Sequence, residues 1–168
     1  MKYIRVVVLL VAGLLNVYML FAIILFKLAP VEPLSLLDQL QLVMKHPQLL
    51  EARMQQANFQ PFYTIGTSLR GERTSGIQWL NLYGNILVFI PTGVLIALSS
   101  NKHRISNAAL ASFLLSLLLE SMQLIFLMGS FDVDDLILNS LGGIVGAMLI
   151  YIPLFLRKRN FNRRLIEQ

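Results

Sequence analysis

Four long apolar stretches dominate the sequence, and their length constrains the fold more than any other feature. They cover residues 6–26, 80–99, 108–128 and 136–156, and polar segments separate each from the next. A helix needs about 20 predominantly apolar residues to cross the hydrocarbon core of a bilayer. We therefore predict an all-α integral membrane protein with four transmembrane helices. Only 14% of the residues are charged, against about 25% in soluble domains, which disfavours a soluble enzyme.

The first apolar stretch follows Lys2 and Arg5, a pattern that is also typical of a cleavable signal peptide. Its run of roughly 21 residues is longer than the signal-peptide core of about 7–15 residues. No small-x-small cleavage site follows it before Lys27 and Pro30. We therefore expect this stretch to be retained as a transmembrane helix.

Lys and Arg are unevenly distributed over the flanks of the four stretches. Nine of the 14 basic residues lie before the first stretch, between the second and third, or in the tail 157–168. Loops on the cytoplasmic side of a membrane carry an excess of Lys and Arg. We therefore predict a multi-pass protein of the cell membrane with cytoplasmic N- and C-termini. The segment 27–79 is then extracytoplasmic.

Charge and composition bear on the partners of the chain. A net charge of +5 would suggest nucleic acid in a soluble protein, but here the basic tail directly follows a membrane span. Contact with anionic lipid is the favoured interpretation, so we predict the lipid bilayer and no nucleic acid as partner. The chain has no cysteine, which excludes disulfides, thiolate metal sites and a cysteine nucleophile.

The segment 27–79 contains apolar residues at helical spacing. Residues 33–45 carry five of them between polar residues, and Pro47 can open a second short helix that runs to about residue 56. We expect one or two amphipathic helices that lie on the outer membrane surface or cover the bundle. The alternative is a connector with no further role.

Glu120 interrupts the third apolar stretch with a carboxylate, and Gln123 follows it on the same helical face. A charged carboxylate at bilayer depth costs at least about 2.5–3.5 kcal/mol on insertion scales. We therefore expect Glu120 to face the interior of the helix bundle, where other polar groups can reach it.

An acidic turn leads from the third stretch into the fourth. Asp132 or Asp134 is well placed to cap the N-terminus of the fourth helix, where free N–H groups and the helix dipole favour a carboxylate. One stripe of that helix then carries Asp135, Asn139, Gly142 and Gly146. The small residues of this stripe predict close packing against another span.

Polar side chains of three predicted spans fall in the outer half of the membrane. We predict that they form one cluster that opens outward and binds a substrate. Its candidate binding residues are Asn85, Glu120, Gln123, Asp132, Asp135 and Asn139. Glu120 and Asp135 are the catalytic candidates, and Arg70 and Arg73 are weaker candidates outside the spans.

Three interpretations of this cluster stay open from the residues alone. Glu120 and a turn aspartate can work as an acid/base pair or hold a hard divalent cation. The cluster can instead bind a polar headgroup or peptide without chemistry. Thirdly, it can be a structural polar network that joins three helices, with Glu120 protonated. The sequence contains no phosphate-binding loop, no zinc-binding helix pair and no nucleophile elbow. It leaves the cofactor, metal binding, the identity of the ligand and the oligomeric state open.

Three parts of the chain resemble the VanZ-like family of small membrane proteins. The most specific is Glu120-x-x-Gln123, followed by FDVDDLILN at residues 131–139 and glycines at 142, 143 and 146. The second is NILVFIPTG at residues 85–93, and the third, NFQPF at residues 58–62, matches more loosely. Many family members also have an arginine just before the phenylalanine-aspartate pair, where this chain has Met128-Gly129-Ser130.

The resemblance implies a cell-membrane protein linked to glycopeptide resistance, especially to the lipid-bearing teicoplanin, and it leaves the mechanism open. The predicted outward-facing cluster lies within reach of a lipid headgroup, a lipid-linked wall precursor or the glycopeptide itself. The alternative function is a membrane-embedded enzyme that modifies a lipid or a lipid-linked cell-wall precursor, with Glu120 as general acid/base.

Overall fold

A computed structural model describes residues 2–26, 33–71, 76–100 and 102–166. In these ranges the chain forms seven α-helices: α1 (Lys2–Leu20), α2 (Pro33–Lys45), α3 (Gln48–Gln55), α4 (Tyr63–Leu69), α5 (Gly76–Ser99), α6 (Arg104–Ile125) and α7 (Val133–Ile166). A π-helical stretch, Phe21–Leu25, extends α1. The described residues contain no strand, only an isolated parallel bridge between Asn58 and Asp132.

Four helical regions are long and apolar enough to cross a membrane. They are Tyr3–Leu25, Asn81–Ser99, Arg104–Ile125 and Val133–Arg157. The predicted all-α fold with four membrane-crossing helices is therefore confirmed. The chain is a multi-pass membrane protein.

Hydrogen bonds at both ends of α1 define its direction in the bundle. Near its start, the Arg5 guanidinium donates to the Leu98 carbonyl at the end of α5, at 2.9 Å. After its end, the Ile24 carbonyl accepts from the Gln123 side chain of α6, at 2.8 Å. Helix α1 therefore runs antiparallel to α5 and parallel to α6. We call the end of the bundle where α6 ends and α7 begins the carboxylate end.

Helices α6 and α7 pack with a regular four-residue register, which we call the ladder. From the carboxylate end inward, Glu120 faces Asp135 and Ser116 bonds to Asn139. One turn deeper, Ser112 lies against Gly143, and Ala108 then packs with Ala147. Each step of four residues back along α6 thus matches four residues forward along α7, because both helices repeat one face about every 3.6 residues. From the carboxylate end inward, the facing pairs of the ladder change from carboxylic acids, through polar side chains, to alanines.

Glycines allow α5 and α7 to approach backbone to backbone. A Cβ on Gly142 would lie 2.2 Å from the Ile86 carbonyl oxygen, and one on Gly146 would lie 2.1 Å from that of Ile90. No side chain larger than hydrogen fits at such separations. The predicted close packing of the small-residue stripe is confirmed, and its partner is α5.

One or two helices were expected between the first and second spans, and two form there as α2 and α3. Helix α4 in the same segment was not predicted. Pro47 precedes α3 directly, which agrees with its predicted place at a helix start. On α2, Leu34, Leu37 and Met44 are exposed. Their position on the outer membrane surface stays a prediction from the charge distribution.

The ends of α6 and α7 differ from the predicted limits of the apolar stretches. Helix α6 ends at Ile125 because Leu127 takes a left-handed backbone conformation, with φ 55°, and Met128 donates its N–H back to the Gln123 carbonyl. Helix α7 begins at Val133 and continues to Ile166, through most of the predicted tail. Hydropathy alone does not predict where these helices end and begin, because apolar residues occur on both sides of the turn.

Candidate functional site at the carboxylate end

Asp132 caps the N-terminus of α7. Its Oδ1 accepts the Asp134 N–H at 2.8 Å, and its carbonyl oxygen accepts the Asp135 N–H at 3.2 Å. This pattern satisfies donors that the first turn of a helix leaves free. Asp132 or Asp134 was predicted to cap α7, and Asp132 is the residue that does so.

The same carboxylate also holds a distant segment of the chain. Asn58 Nδ2 donates to Oδ1 of Asp132 at 2.8 Å, and the Thr64 hydroxyl donates to Oδ2 at 2.7 Å. Backbone bonds reinforce the contact, from Asn58 N–H to the Phe131 carbonyl at 2.8 Å and from Val133 N–H to the Asn58 carbonyl at 2.9 Å. The segment is therefore joined to the start of α7 through both its side chains and its backbone.

Asp134 is fully buried and holds the start of α4. Its two oxygens accept the backbone N–H groups of Phe62 at 2.5 Å and Ile65 at 3.0 Å. Phe62 has φ 65°, a left-handed conformation that is uncommon for a residue with a side chain. A carboxylate at the start of a helix is favoured by free N–H groups, so Asp134 caps α4 from a different helix.

We call residues 58–65, held by Asp132 and Asp134, the clasp. The sequence analysis missed the clasp: it placed Asp134 only as a possible helix cap and did not pair residues 58–62 with the acidic turn. A signal was present, because both segments carry the family resemblance. Nothing in the local pattern indicated that backbone N–H groups of one segment would bind side chains of the other.

Behind the clasp, three helices bring predicted site residues together. Glu120 of α6 is 2% exposed, and its Oε2 accepts the Asp132 N–H at 3.1 Å. Its carboxyl group lies within electrostatic range of that of Asp135 on α7. Asp135 in turn accepts a hydrogen bond from Asn85 Nδ2 of α5 at 2.6 Å. The structure thus brings together Asn85, Glu120, Asp132 and Asp135, as the predicted cluster requires.

The other two predicted residues make separate contacts. Gln123 is buried, but its amide donates to the Ile24 carbonyl and so fastens the end of α1. Asn139 lies one turn deeper than Asp135, where its Nδ2 donates to Ser116 Oγ at 2.8 Å. Asn139 Oδ1 is buried without a hydrogen-bond partner. Gln123 therefore joins α6 to the end of α1, and Asn139 joins α7 to α6.

Of the two predicted basic candidates, Arg70 lies at the edge of this region. Arg70 follows α4, and its guanidinium packs beside Gly66 on an exposed surface. Arg73 lies outside the described residues. Arg53 of α3, which the sequence analysis did not single out, donates to the Leu127 carbonyl at 3.4 Å. The turn between α6 and α7 has no basic residue of its own, and Arg53 of α3 places a guanidinium group against it.

Aromatic rings cover the outer surface of the clasp. Phe59 is 59% exposed and stacks on Phe131 with ring centroids 5.4 Å apart. Phe62 and Tyr63 are also exposed. Aromatic side chains suit a membrane–water interface, and they offer flat surfaces to a ligand.

The cluster offers a ligand carboxyl and amide groups inside the end of the bundle. Paired carboxyl groups can accept hydrogen bonds or exchange a proton with a bound hydroxyl or amine. Across the ranges that the structure describes, no group of three or more His, Asp and Glu side chains is arranged to hold a metal ion.

Comparison with known proteins finds one family. The model of the VanZ/LLP1 family matches residues 14–156 of the 168-residue chain. The matched range includes α2 to α6, the clasp and every candidate site residue. No curated protein and no solved structure matches the chain.

Proposed function

The chain belongs to the VanZ-like family, and from that premise we propose that it lowers the susceptibility of the cell to teicoplanin-type lipoglycopeptide antibiotics. It does so through a polar site at the outer face of the cell membrane. The site consists of Glu120, Asp135 and Asn85, with Asp132 and the clasp in front of them.

One observation carries this proposal: the carboxyl groups of buried Glu120 and partly buried Asp135 lie directly behind the clasp. Among the described residues, Glu120 accepts from the Asp132 N–H and Asp135 accepts from the Asn85 amide. Placing two carboxyl groups together away from water costs stability, because desolvation and mutual repulsion both disfavour their charged forms. Neutral side chains could join the helices at a smaller cost in stability. The presence of two carboxyl groups therefore supports a binding function.

The outward orientation is supported by the distribution of basic residues. Nine of 14 Lys and Arg residues belong to the flanks at the end opposite to the carboxylate end. By the excess of basic residues in cytoplasmic loops, that end is cytoplasmic and the carboxylate end faces outward. The N- and C-termini are then both cytoplasmic.

The ligand class follows from the chemistry of the site. Carboxyl oxygens and amides bind hydroxyl, amide and ammonium groups, and the exposed aromatic rings of the clasp suit an interfacial molecule. A lipid headgroup, a lipid-linked wall precursor and the glycopeptide all carry such groups at the outer membrane surface. Binding any of them there would interfere with the action of a membrane-anchored antibiotic.

A susceptibility assay tests the proposal directly. Glu120→Gln and Asp135→Asn keep the shape of each side chain and remove its carboxylate, so both variants should lose protection against teicoplanin at normal membrane levels. Matched controls are Glu51→Gln and Asp38→Asn, because both carboxylates are exposed on α3 and α2. Full protection by both site variants would show that the cluster is structural.

The orientation is tested separately by cysteine labelling, since the chain contains no cysteine. Gln60→Cys in the clasp and Lys102→Cys in the α5–α6 loop both replace exposed residues. A membrane-impermeant reagent added to whole cells should label position 60 and not position 102. Labelling of position 102 alone would reverse the assigned orientation.

The alternative is a membrane-embedded enzyme that modifies a lipid or lipid-linked wall precursor, with Glu120 as general acid/base. Two carboxyl groups in electrostatic range but with different hydrogen-bond partners favour it, because such pairs can divide acid and base roles. Comparing the lipids and wall precursors of cells with and without the protein distinguishes the enzyme from the binding protein. A new or missing species supports the enzyme, whereas an unchanged inventory with altered antibiotic binding supports the binding role.

A further inference from the structure

A surface cavity lies at the end of the bundle opposite to the carboxylate end. It is formed by the first residues of α6, the loop before them and a residue of α7. Its lining residues are Lys102, His103, Arg104, Ile105, Ser106 and Tyr151. Arg104 and Tyr151 continue the ladder by one further step of four residues, so the cavity sits where the α6–α7 interface opens.

The cavity is basic, and no carboxylate lines it. Lys102 and His103 are exposed, and Arg104 is partly buried with its guanidinium hydrogen-bonded to the Ala97 carbonyl. Ser106 and Tyr151 add hydroxyl groups, which can donate to an anion. Every polar side chain around the cavity can therefore present a donor.

The start of α6 adds backbone donors on the same side. His103 has φ 53° and makes no side-chain capping hydrogen bond. The N–H groups of the first helical turn have no partner within a helix, and they carry the positive end of the dipole. Such N–H groups favour an anion beside the basic side chains.

The cavity also has a fixed place relative to the bilayer. Arg104 begins the membrane-crossing region of α6, and Tyr151 lies within the last two turns of the crossing region of α7. The cavity is therefore at the depth of the headgroups of one leaflet. Ile105 and the Tyr151 ring give the cavity an apolar side.

From these observations we propose that the cavity binds the phosphate of an anionic phospholipid headgroup. Lys102 and Arg104 supply the charge, and the hydroxyl groups and the first turn of α6 supply hydrogen bonds. Basic pockets between transmembrane helices bind anionic headgroups in this way. The site is separate from the carboxyl cluster and does not depend on the function proposed for that cluster.

The test uses the full-length protein purified in detergent and titrated with short-chain lipids. Dioctanoyl phosphatidylglycerol should bind, whereas dioctanoyl phosphatidylcholine, which carries no net charge, should bind at least fivefold more weakly. Lys102→Gln should lower the affinity for phosphatidylglycerol about fivefold, the effect expected of one basic residue near an anionic headgroup. Lys45→Gln, which removes an exposed charge from the end of α2, is the matched control and should change nothing.

A second variant and a second ligand separate the possible outcomes. Tyr151→Phe removes only the hydroxyl group and should also weaken binding of phosphatidylglycerol, without an effect on the folded yield. Inorganic phosphate should compete poorly, because it lacks the apolar part of the lipid. Equal binding of inorganic phosphate, equal binding of phosphatidylcholine, or unchanged affinity in Lys102→Gln and Tyr151→Phe would each overturn the proposal.

Discussion

Asp134 holds the backbone of Phe62, across 72 positions of the chain, with an N–H to carboxylate distance of 2.5 Å. The bond stabilises a left-handed residue at the point where the clasp turns into α4. Buried Asp134 thus works together with Asp132 to position the clasp, which covers the candidate site.

Replacing Asp134 should release the clasp. In Asp134→Asn one oxygen becomes an NH2 group, which cannot accept the second backbone N–H, so we expect the free energy of unfolding to fall by about 1.5–3 kcal/mol. Limited proteolysis of the purified protein should then cut within residues 58–71, where we expect the wild-type chain to resist cleavage. Asp38→Asn, on an exposed position of α2, is the control. Unchanged protease resistance would mean that the other contacts suffice to hold the clasp.

Ser112 and Ser116 should respond in opposite ways to the same substitution. Ser116 Oγ accepts from Asn139, so Ser116→Ala leaves a buried amide donor free and should cost about 1–3 kcal/mol. Ser112 Oγ is buried without a partner, so Ser112→Ala should leave stability unchanged or raise it by up to about 1 kcal/mol. Thermal unfolding in detergent measures both. Equal losses in the two variants would show that Ser112 has a partner after all.

Alanine should not be accepted at the glycines between α5 and α7. The added Cβ of Gly142→Ala or Gly146→Ala would meet a backbone carbonyl oxygen at about 2.2 Å or less. Overpacking of this kind costs about 1–3 kcal/mol or more, because backbone cannot rotate away as a side chain can. The matched control is Gly84→Ala on α5, where nothing lies within 4 Å. Folded yield should drop for the first two variants and hold for the control.

Asn85 and Asp135 should be energetically coupled. Their side chains share a 2.6 Å hydrogen bond between α5 and α7. In a double-mutant cycle of Asn85→Ala and Asp135→Ala, each of which removes the bond, we expect a coupling energy of about 0.5–3 kcal/mol, the range for residues in direct contact. Additive effects would indicate that the bond contributes nothing to the assembly of the cluster.

The sequence predicted the parts of this fold that depend on short-range pattern. Apolar length and helical spacing gave the four membrane-crossing helices, α2 and the packing role of Gly142 and Gly146. The burial of Glu120 followed from the cost of exposing a carboxylate to lipid. These features are predictable because each depends on one helix and its surroundings.

The parts that could not be predicted depend on contacts between distant segments. Gln123 lies on the face of Glu120, as its spacing requires, but its partner is the Ile24 carbonyl, which is free because it lies in the last turn of the π-helical stretch that extends α1. The bonds from Phe62 and Ile65 to Asp134 similarly depend on a left-handed backbone that no local pattern signals. Polar pairing across the bundle is a property of the folded chain.

The ladder between α6 and α7 limits where this protein can move. If one helix slid past the other by a turn, about 5.4 Å, Ser116 would lie against Gly143. Asp135 would then have no facing residue on α6, and Asn139 would lose its hydroxyl partner. Helix α7 also packs closely on α5 at its glycines. We therefore infer that α5, α6 and α7 form a frame within which the helices keep their positions. We expect an opening that admits a ligand to Glu120 to come from the clasp, which Asp132 and Asp134 join to that frame by hydrogen bonds.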